Sequence, residues 1–142
     1  MPTLNRTYVR REARLVTEWL QKFHSKNMQW RQVRLGPIPN GNTIYSALRR
    51  YADAIYLDGN SVVIVEACIR PEHEKIAQLE LYRNMFAVTP EFSDVQSYTL
   101  RLLVLTTLED QFVHQLADQN GIEYQVYSPQ WIKDYWKAKL SG

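Results

Sequence analysis

The spacing of apolar positions divides the chain into helices and strands. Apolar residues recur with helical spacing in four segments, which predicts helices at residues 5–27, 72–88, 110–120 and 129–139. Apolar or β-branched runs bounded by turn residues predict five strands, at 30–35, 51–57, 62–69, 100–107 and 122–127. Residues 90–99 are predicted to form a polar loop. The order α-β-β-β-α-β-α-β-α predicts an α/β fold, a three-layer α/β/α sandwich around a mixed sheet.

The second and third predicted strands form a hairpin that carries two acids. A two-residue turn at Gly59-Asn60 sets Asp53 directly opposite Glu66, whereas a turn one residue earlier offsets the two acids by two positions. Carboxylates on opposed strand positions repel each other, so a cation, a proton or an arginine has to compensate. A divalent metal held by two carboxylates and water is one such answer.

The surroundings of Glu66 favour a functional role over an exposed surface position. It lies within residues 62–69, a run that is apolar on both faces of the strand. Strands buried on both faces rarely carry an unpaired glutamate. Buried ionisable groups cluster at functional sites, so this acid is a candidate site residue.

Composition narrows the class of protein. The chain has 142 residues, of which 45% are hydrophobic and 12% aromatic, enough to fold as a single domain over 1–142 and to exclude general disorder. One cysteine excludes an intrachain disulfide. Because no apolar run reaches the ~18 residues of a membrane span and no signal sequence is recognisable, we expect a cytoplasmic protein with no membrane partner.

Charge is distributed unevenly along the chain. The first 50 residues contain ten Lys and Arg against two acids, and the remainder contains seven against thirteen. Such a basic segment is typical of a surface for nucleic acid, the alternative being a solvated basic helix. The arginines at positions 6, 10 and 14 line one edge of the first helix and could follow a phosphate backbone. The predicted DNA-binding residues are Arg6, Arg10, Arg14, Arg34, Arg49 and Arg50.

Two short segments resemble a known family. RRYADA at residues 49–54 and IVEAC at 64–68, with the hairpin between them, resemble the PD-(D/E)XK nuclease superfamily, which has the restriction-endonuclease-like fold. QLELY at 78–82 resembles the glutamine-containing helix that often follows this motif. The resemblance implies phosphodiester hydrolysis of DNA with Mg²⁺ or Mn²⁺, held by Asp53 and Glu66 with the Ala67 carbonyl as a candidate third ligand.

The sequence departs from the family at the motif lysine, which is Cys68 here. A thiol with an ordinary pKa near 8.5 supplies no fixed positive charge, and a small buried hydrophobic side chain is the simpler interpretation. In some members the lysine lies on the following helix, so the resemblance implies Lys75 as the substitute. Helical spacing places Gln78 on the same face, and it is a further candidate catalytic residue. The alternative is that Lys75 extends from the edge of the apolar stripe into solvent.

The first helix offers a further acid. Glu12 projects into the middle of an apolar face, where a carboxylate needs a partner. Some superfamily members present an acid from this helix to the metal, so the resemblance makes Glu12 a candidate third carboxylate. The alternative is an ion pair with Arg31, Arg34 or Arg49.

Two functions follow from these features. One is a Mg²⁺-dependent nuclease acting on DNA through Asp53, Glu66 and Lys75. The other is a catalytically inactive pseudo-nuclease, a nucleic-acid- or protein-binding module of a phage or mobile-element assembly. Because the lysine missing at Cys68 is a direct loss, the sequence alone favours the inactive form.

Overall fold

The computed structural model describes residues 6–37 and 50–141. Its helices are α1 Arg6–Phe23, α2 His73–Phe86, α3 Gln111–Gln119 and α4 Gln130–Ser141. Its strands are β1 Gln29–Leu35, β2 Arg50–Asp58, β3 Ser61–Ala67, β4 Thr99–Thr106 and β5 Ile122–Val126. Within this part of the chain, no helix combines the length and the apolar character needed to cross a membrane.

The five strands form one mixed sheet in the order β1-β2-β3-β4-β5. The pairs β1-β2 and β2-β3 are antiparallel, and β3-β4 and β4-β5 are parallel. Asp58 pairs with Ser61, which confirms a two-residue turn at Gly59-Asn60. The predicted element order and mixed sheet are therefore confirmed.

Helices cover both faces of the sheet and give two hydrophobic cores. On one face, α1 and α4 pack on β3 and β4 through buried side chains such as Trp19, Val65 and Ile132. On the other face, α2 and α3 do so through side chains such as Leu79 and Ala117. Because β3 lies between the two cores, its sequence is apolar on both faces.

The first helix is shorter than its periodicity predicts, ending at Phe23 and not at residue 27. Side-chain bonds turn the chain into β1. Asn27 Nδ2 donates to the Leu57 carbonyl at 2.7 Å, and Gln29 Nε2 donates to the His24 carbonyl at 2.9 Å. The His24 ring also stacks on Tyr56, with centroids 4.3 Å apart. The contacts with Leu57 and Tyr56 come from β2, far along the chain, and together with the local bond from Gln29 they outweigh helical spacing.

The predicted loop at 90–99 contains a short 3₁₀ helix, Pro90–Val95, with a kink at Phe92. Phe92 is buried, and its ring lies 5.5 Å from that of Phe86 and 5.2 Å from that of Trp30. An aromatic anchor thus orders a segment whose composition is otherwise that of a loop.

Candidate active site

The two acids of the hairpin meet where β2 and β3 separate. Regular pairing of these strands runs from the turn to Ala54 and Val65, and Asp53 and Glu66 are the next residues on the two strands. Instead of a ladder bond, the Asp53 N–H donates to Glu66 Oε1 at 3.1 Å. The Ala67 N–H donates to Asp53 Oδ2 at 2.8 Å. Each carboxylate is therefore held by backbone of the opposite strand.

Lys75 reaches the same place from the first turn of α2. Its Nζ lies 3.5 Å from Glu66 Oε2, and the two side chains are 18% and 3% exposed. The Lys75 side chain thus faces the carboxylates and not the solvent. The helix positions it because α2 begins at His73, a short connection after β3 ends at Ala67.

The carboxyl groups at this site bind protons more tightly than usual. Burial, with the Asp53 charge second, raises the pKa of Glu66 to about 8. Burial also raises the pKa of Glu12 to about 7, against the opposing effect of Lys75. The pKa of Asp53 is raised by burial as well, although the Ala67 N–H and Lys75 lower it. Burial is the first cause of all three shifts, so the site favours the neutral, protonated form of its carboxyl groups.

Lys75 carries the compensating charge. Burial alone would lower its pKa, but the nearby carboxylates of Glu66, Glu12 and Asp53 raise it above the usual value. The side chain therefore stays protonated at neutral pH. One ammonium group faces three acids, which leaves room for a further positive charge, a proton or a metal ion.

The donor set fits a hard cation. Asp53 and Glu66 offer carboxylate oxygens, which Mg²⁺ prefers, and Mg²⁺ commonly binds through one or two carboxylates with water and substrate phosphate completing its shell. In residues 6–37 and 50–141, no group of three or more His, Cys, Asp or Glu side chains is arranged to hold a metal. Glu12 acts on Asp53 and Lys75 through its charge, and its role as a third ligand stays a prediction, as does that of the Ala67 carbonyl.

Cys68 lies on the same strand face as Glu66 and is fully buried in the core beneath α2. Burial raises the pKa of its thiol to about 12. At neutral pH the side chain is a neutral hydrophobic group, and it supplies no charge to the acids.

Gln78 contacts the site through a tyrosine. Its Nε2 donates to the Tyr82 hydroxyl at 2.8 Å, and that hydroxyl donates to the Tyr51 carbonyl at 2.9 Å. Burial and then the Glu66 charge raise the pKa of Tyr82. Tyr82 therefore lies against the acid, a place that its position in the apolar stripe of α2 does not reveal.

Two residues of β1 complete the surroundings of Asp53. Arg31 donates from Nε to the Asp53 carbonyl at 3.4 Å, from Nη2 to the Ala13 carbonyl at 3.2 Å, and from Nη1 to Thr17 Oγ1. It ties α1 and β2 together with neutral oxygen partners. Gln32 Nε2 lies 3.5 Å from Asp53 Oδ1. Sequence reasoning considered Arg31 only as a partner of Glu12 and missed Gln32.

The predicted arginine surface is only partly available to a phosphate backbone. Arg14 pairs with Glu18 at 3.1 Å and stacks on the Trp131 ring at 4.1 Å. Arg34 donates to the Tyr51 hydroxyl at 3.1 and 2.9 Å. Arg10 and Arg50 are exposed, whereas Arg49 and the side chain of Arg6 lie outside the described residues. Arg11, which the sequence did not single out, stacks on Tyr135 at 4.6 Å.

The fold is similar to those of three solved proteins, of which one is a repair endonuclease. A repair endonuclease from Pyrococcus abyssi matches with a TM-score of 0.57 and 12% identity over 82% of this chain and 46% of its own. EndoMS in complex with double-stranded DNA matches with a TM-score of 0.54 and 14% identity over 82% of this chain and 44% of its own. AF1548, a protein of unknown function, matches with a TM-score of 0.51 and 9% identity over 79% of this chain and 54% of its own.

These matches establish the fold alone, because sequence identities this low say nothing about activity. The chain spans about half the length of each of the three proteins. The sequence matches no protein-family model, and no curated protein matches it by sequence.

Proposed function

We propose, from the restriction-endonuclease-like fold that this chain shares with PD-(D/E)XK nucleases, that it is a metal-dependent nuclease domain that binds DNA and hydrolyses phosphodiester bonds. The observation that carries the proposal is the 3.5 Å approach of Lys75 Nζ to Glu66 Oε2. An ammonium group on α2 compensates for the neutral Cys68 at the motif position. A fold that had lost its chemistry would have no need to enclose an ammonium group with buried acids, because such groups are costly to desolvate.

Each residue of the site has its own proposed role. Asp53 and Glu66 would hold Mg²⁺ or Mn²⁺, which when bound supplies a Lewis acid and lowers the pKa of water. Lys75 stabilises negative charge that develops on the phosphate. Glu12, whose pKa is raised to about 7 by burial, can take up or release a proton near neutral pH.

DNA is the proposed substrate and partner. EndoMS, one of the proteins with a similar fold, is seen bound to double-stranded DNA. On this chain, Arg10 and Arg11 precede Glu12 in α1; Arg10 is exposed, whereas Arg11 stacks on Tyr135. The exposed arginine would hold the phosphate backbone against α1, because phosphate contacts fix the position of the duplex.

The test is nicking of supercoiled plasmid in Mg²⁺ or Mn²⁺. We expect cleavage by the wild type and a loss of ~10²-fold or more in Lys75→Ala, the scale of one electrostatic stabiliser. Lys133→Ala, which removes an exposed lysine of α4, is the matched control and should cut like the wild type. The double variant Cys68→Lys, Lys75→Ala should recover part of the activity. A Lys75→Ala variant as active as the wild type contradicts the assignment.

A second candidate function is an inactive domain that binds DNA or a protein partner. It is favoured by the buried, neutral thiol of Cys68 and by a site with two close carboxylates and no third ligand among the described residues. The same assay separates the two. A wild type inert in both metals, together with cleavage by Cys68→Lys, identifies a decayed nuclease. DNA binding without cleavage by either protein identifies a binding domain.

A further inference from the structure

In both β1 and β2, the side chains switch from one face of the sheet to the other at neighbouring positions. In a regular strand, residues two apart share a face. On β1, Arg31 bonds to α1 on one side of the sheet, whereas Val33 packs in the core on the α2 side. On β2, Ala54 belongs to the α1-side core and Ala52 to the α2-side core. Both strands therefore change faces between these positions.

Gln32 is the residue at which β1 turns over. Its φ is 51°, and among the described residues it alone combines a positive φ with a side chain beyond glycine. Arg31 pairs with Ala54 and Val33 with Ala52, and no pairing is recorded between them for Gln32 and Asp53. The left-handed conformation is sterically unfavourable for a residue with a Cβ, so the surroundings must impose it.

The turnover of the strands acts on Asp53. Its N–H leaves the sheet ladder and donates to Glu66 Oε1, and its carbonyl accepts from Arg31 Nε. Gln32 Nε2 lies 3.5 Å from Asp53 Oδ1. A straight β1 would place Arg31 and Val33 on one face and would remove the bond that Arg31 makes to α1. The kink therefore fixes the backbone from which the carboxylate projects.

We propose that Gln32 is a positioning residue, whose left-handed backbone orients the Asp53–Glu66 pair. The importance of Gln32 for catalysis rests on the proposed function. Its effect on the geometry of Asp53 does not, because the Asp53 N–H bond to Glu66 exists whether or not a metal binds. Strained conformations at a site hold groups in place that a relaxed strand would not.

The test separates the backbone from the amide of Gln32. Gln32→Gly accepts a positive φ without steric penalty and lacks the amide, whereas Gln32→Val resists a positive φ because its side chain is β-branched. Two readouts are used, the resonance and hydrogen-exchange protection of the Asp53 amide by NMR, and Mn²⁺ affinity by calorimetry. Gln32→Thr, which is also β-branched but polar, replaces the valine variant if that one does not fold.

We expect the glycine variant to keep the Asp53 amide signature and to bind Mn²⁺ within about threefold of the wild type. The valine variant should lose the amide protection and bind Mn²⁺ ~10-fold or more weakly, the scale for residues that support metal ligands. Equal amide signatures in the glycine and valine variants overturn the proposal. A wild type that binds no Mn²⁺ overturns the proposed metal chemistry instead, and the amide readout still decides the role of Gln32.

Discussion

At the scale of single residues, the burial of Glu66 beside Asp53 and Lys75 costs stability. Glu66 is 2% exposed and lies against Asp53, so each acid makes ionisation of the other harder. Lys75 is the one cation whose ammonium group is found within 4 Å of Glu66 among the described residues. A polar cluster of this kind in an otherwise apolar strand is typical of functional sites, where folding and activity make opposite demands.

The pH dependence of stability tests this arrangement through Glu66→Gln. Because the pKa of Glu66 rises from the ordinary 4.5 to about 8, the fold binds this proton more tightly than the unfolded chain does. The resulting stability is fully present below pH 4.5 and is lost as the pH rises through about 8. Without added metal, the wild type should therefore lose stability between pH 5 and 9, as measured by urea denaturation, whereas Glu66→Gln should show a smaller decline.

The matched control is Glu123→Gln, an exposed acid paired with Arg101 on the outer part of the sheet. Its curve should keep the full decline of the wild type over the same pH range. If Glu66→Gln and the wild type decline in parallel, Glu66 is not held in its neutral form in the fold.

The sequence reveals those residues whose neighbours are local or set by a turn. The opposition of Asp53 and Glu66 follows from the Gly59-Asn60 turn, and the inward face of Lys75 follows from helical spacing. Partners such as Gln32 and Tyr82 could not be predicted, because their contacts join elements distant in the chain, and that of Gln32 also depends on a kink in β1.

At the scale of elements, the β2-β3 hairpin sets the register of the site. Gly59 has a φ of 57°, whereas Asn60 does not have a positive φ. Glycine in the first turn position is typical of a type II′ turn, which suits the twist of a hairpin. Since the side-chain period of a strand is two, a slip of one residue would carry Glu66 to the other face of the sheet.

Gly59→Ala should therefore destabilise the protein by about 1 kcal/mol, the usual steric cost of a left-handed residue with a Cβ. The cost comes from the backbone alone, because a Cβ on Gly59 would have no heavy atom within 4 Å. Urea denaturation measures it. Asn60→Ala is the control at the neighbouring position and should be close to neutral, and a loss as large as that of Gly59→Ala would contradict the turn assignment.

The existence and order of elements could be predicted because each has strong periodicity and is bounded by turn residues. Ends were less accurate where tertiary contacts decide them. Helix α1 stops at Phe23 because His24 and Asn27 bond to residues of β1 and β2. The 3₁₀ helix at Pro90–Val95 depends on burial of Phe92, which the polar composition of that segment conceals.

At the scale of the whole molecule, two arginines of α1, within the basic first third of the sequence, lie against α4. Arg11 and Arg14 stack on Tyr135 and Trp131, so α1 and α4 are joined by two cation–aromatic contacts. Glu18 joins the same contact by accepting from Trp131 Nε1 at 2.7 Å. Part of the positive charge therefore stabilises helix packing, and the exposed remainder is available to a polyanion.

The salt dependence of DNA binding distinguishes these two uses of charge. If Arg10, the exposed arginine, contacts a phosphate, Arg10→Glu should weaken binding of every duplex sequence alike and should reduce the slope of log affinity against log salt by ~0.9 for the lost contact. The control is Lys133→Glu, which changes net charge equally at an exposed position of α4 that helical spacing sets away from Tyr135. Fluorescence anisotropy with a labelled duplex at several salt concentrations measures both slopes. Equal reductions would mean that net charge alone draws DNA to this protein, and an unchanged slope in both would exclude Arg10 from the DNA-binding surface.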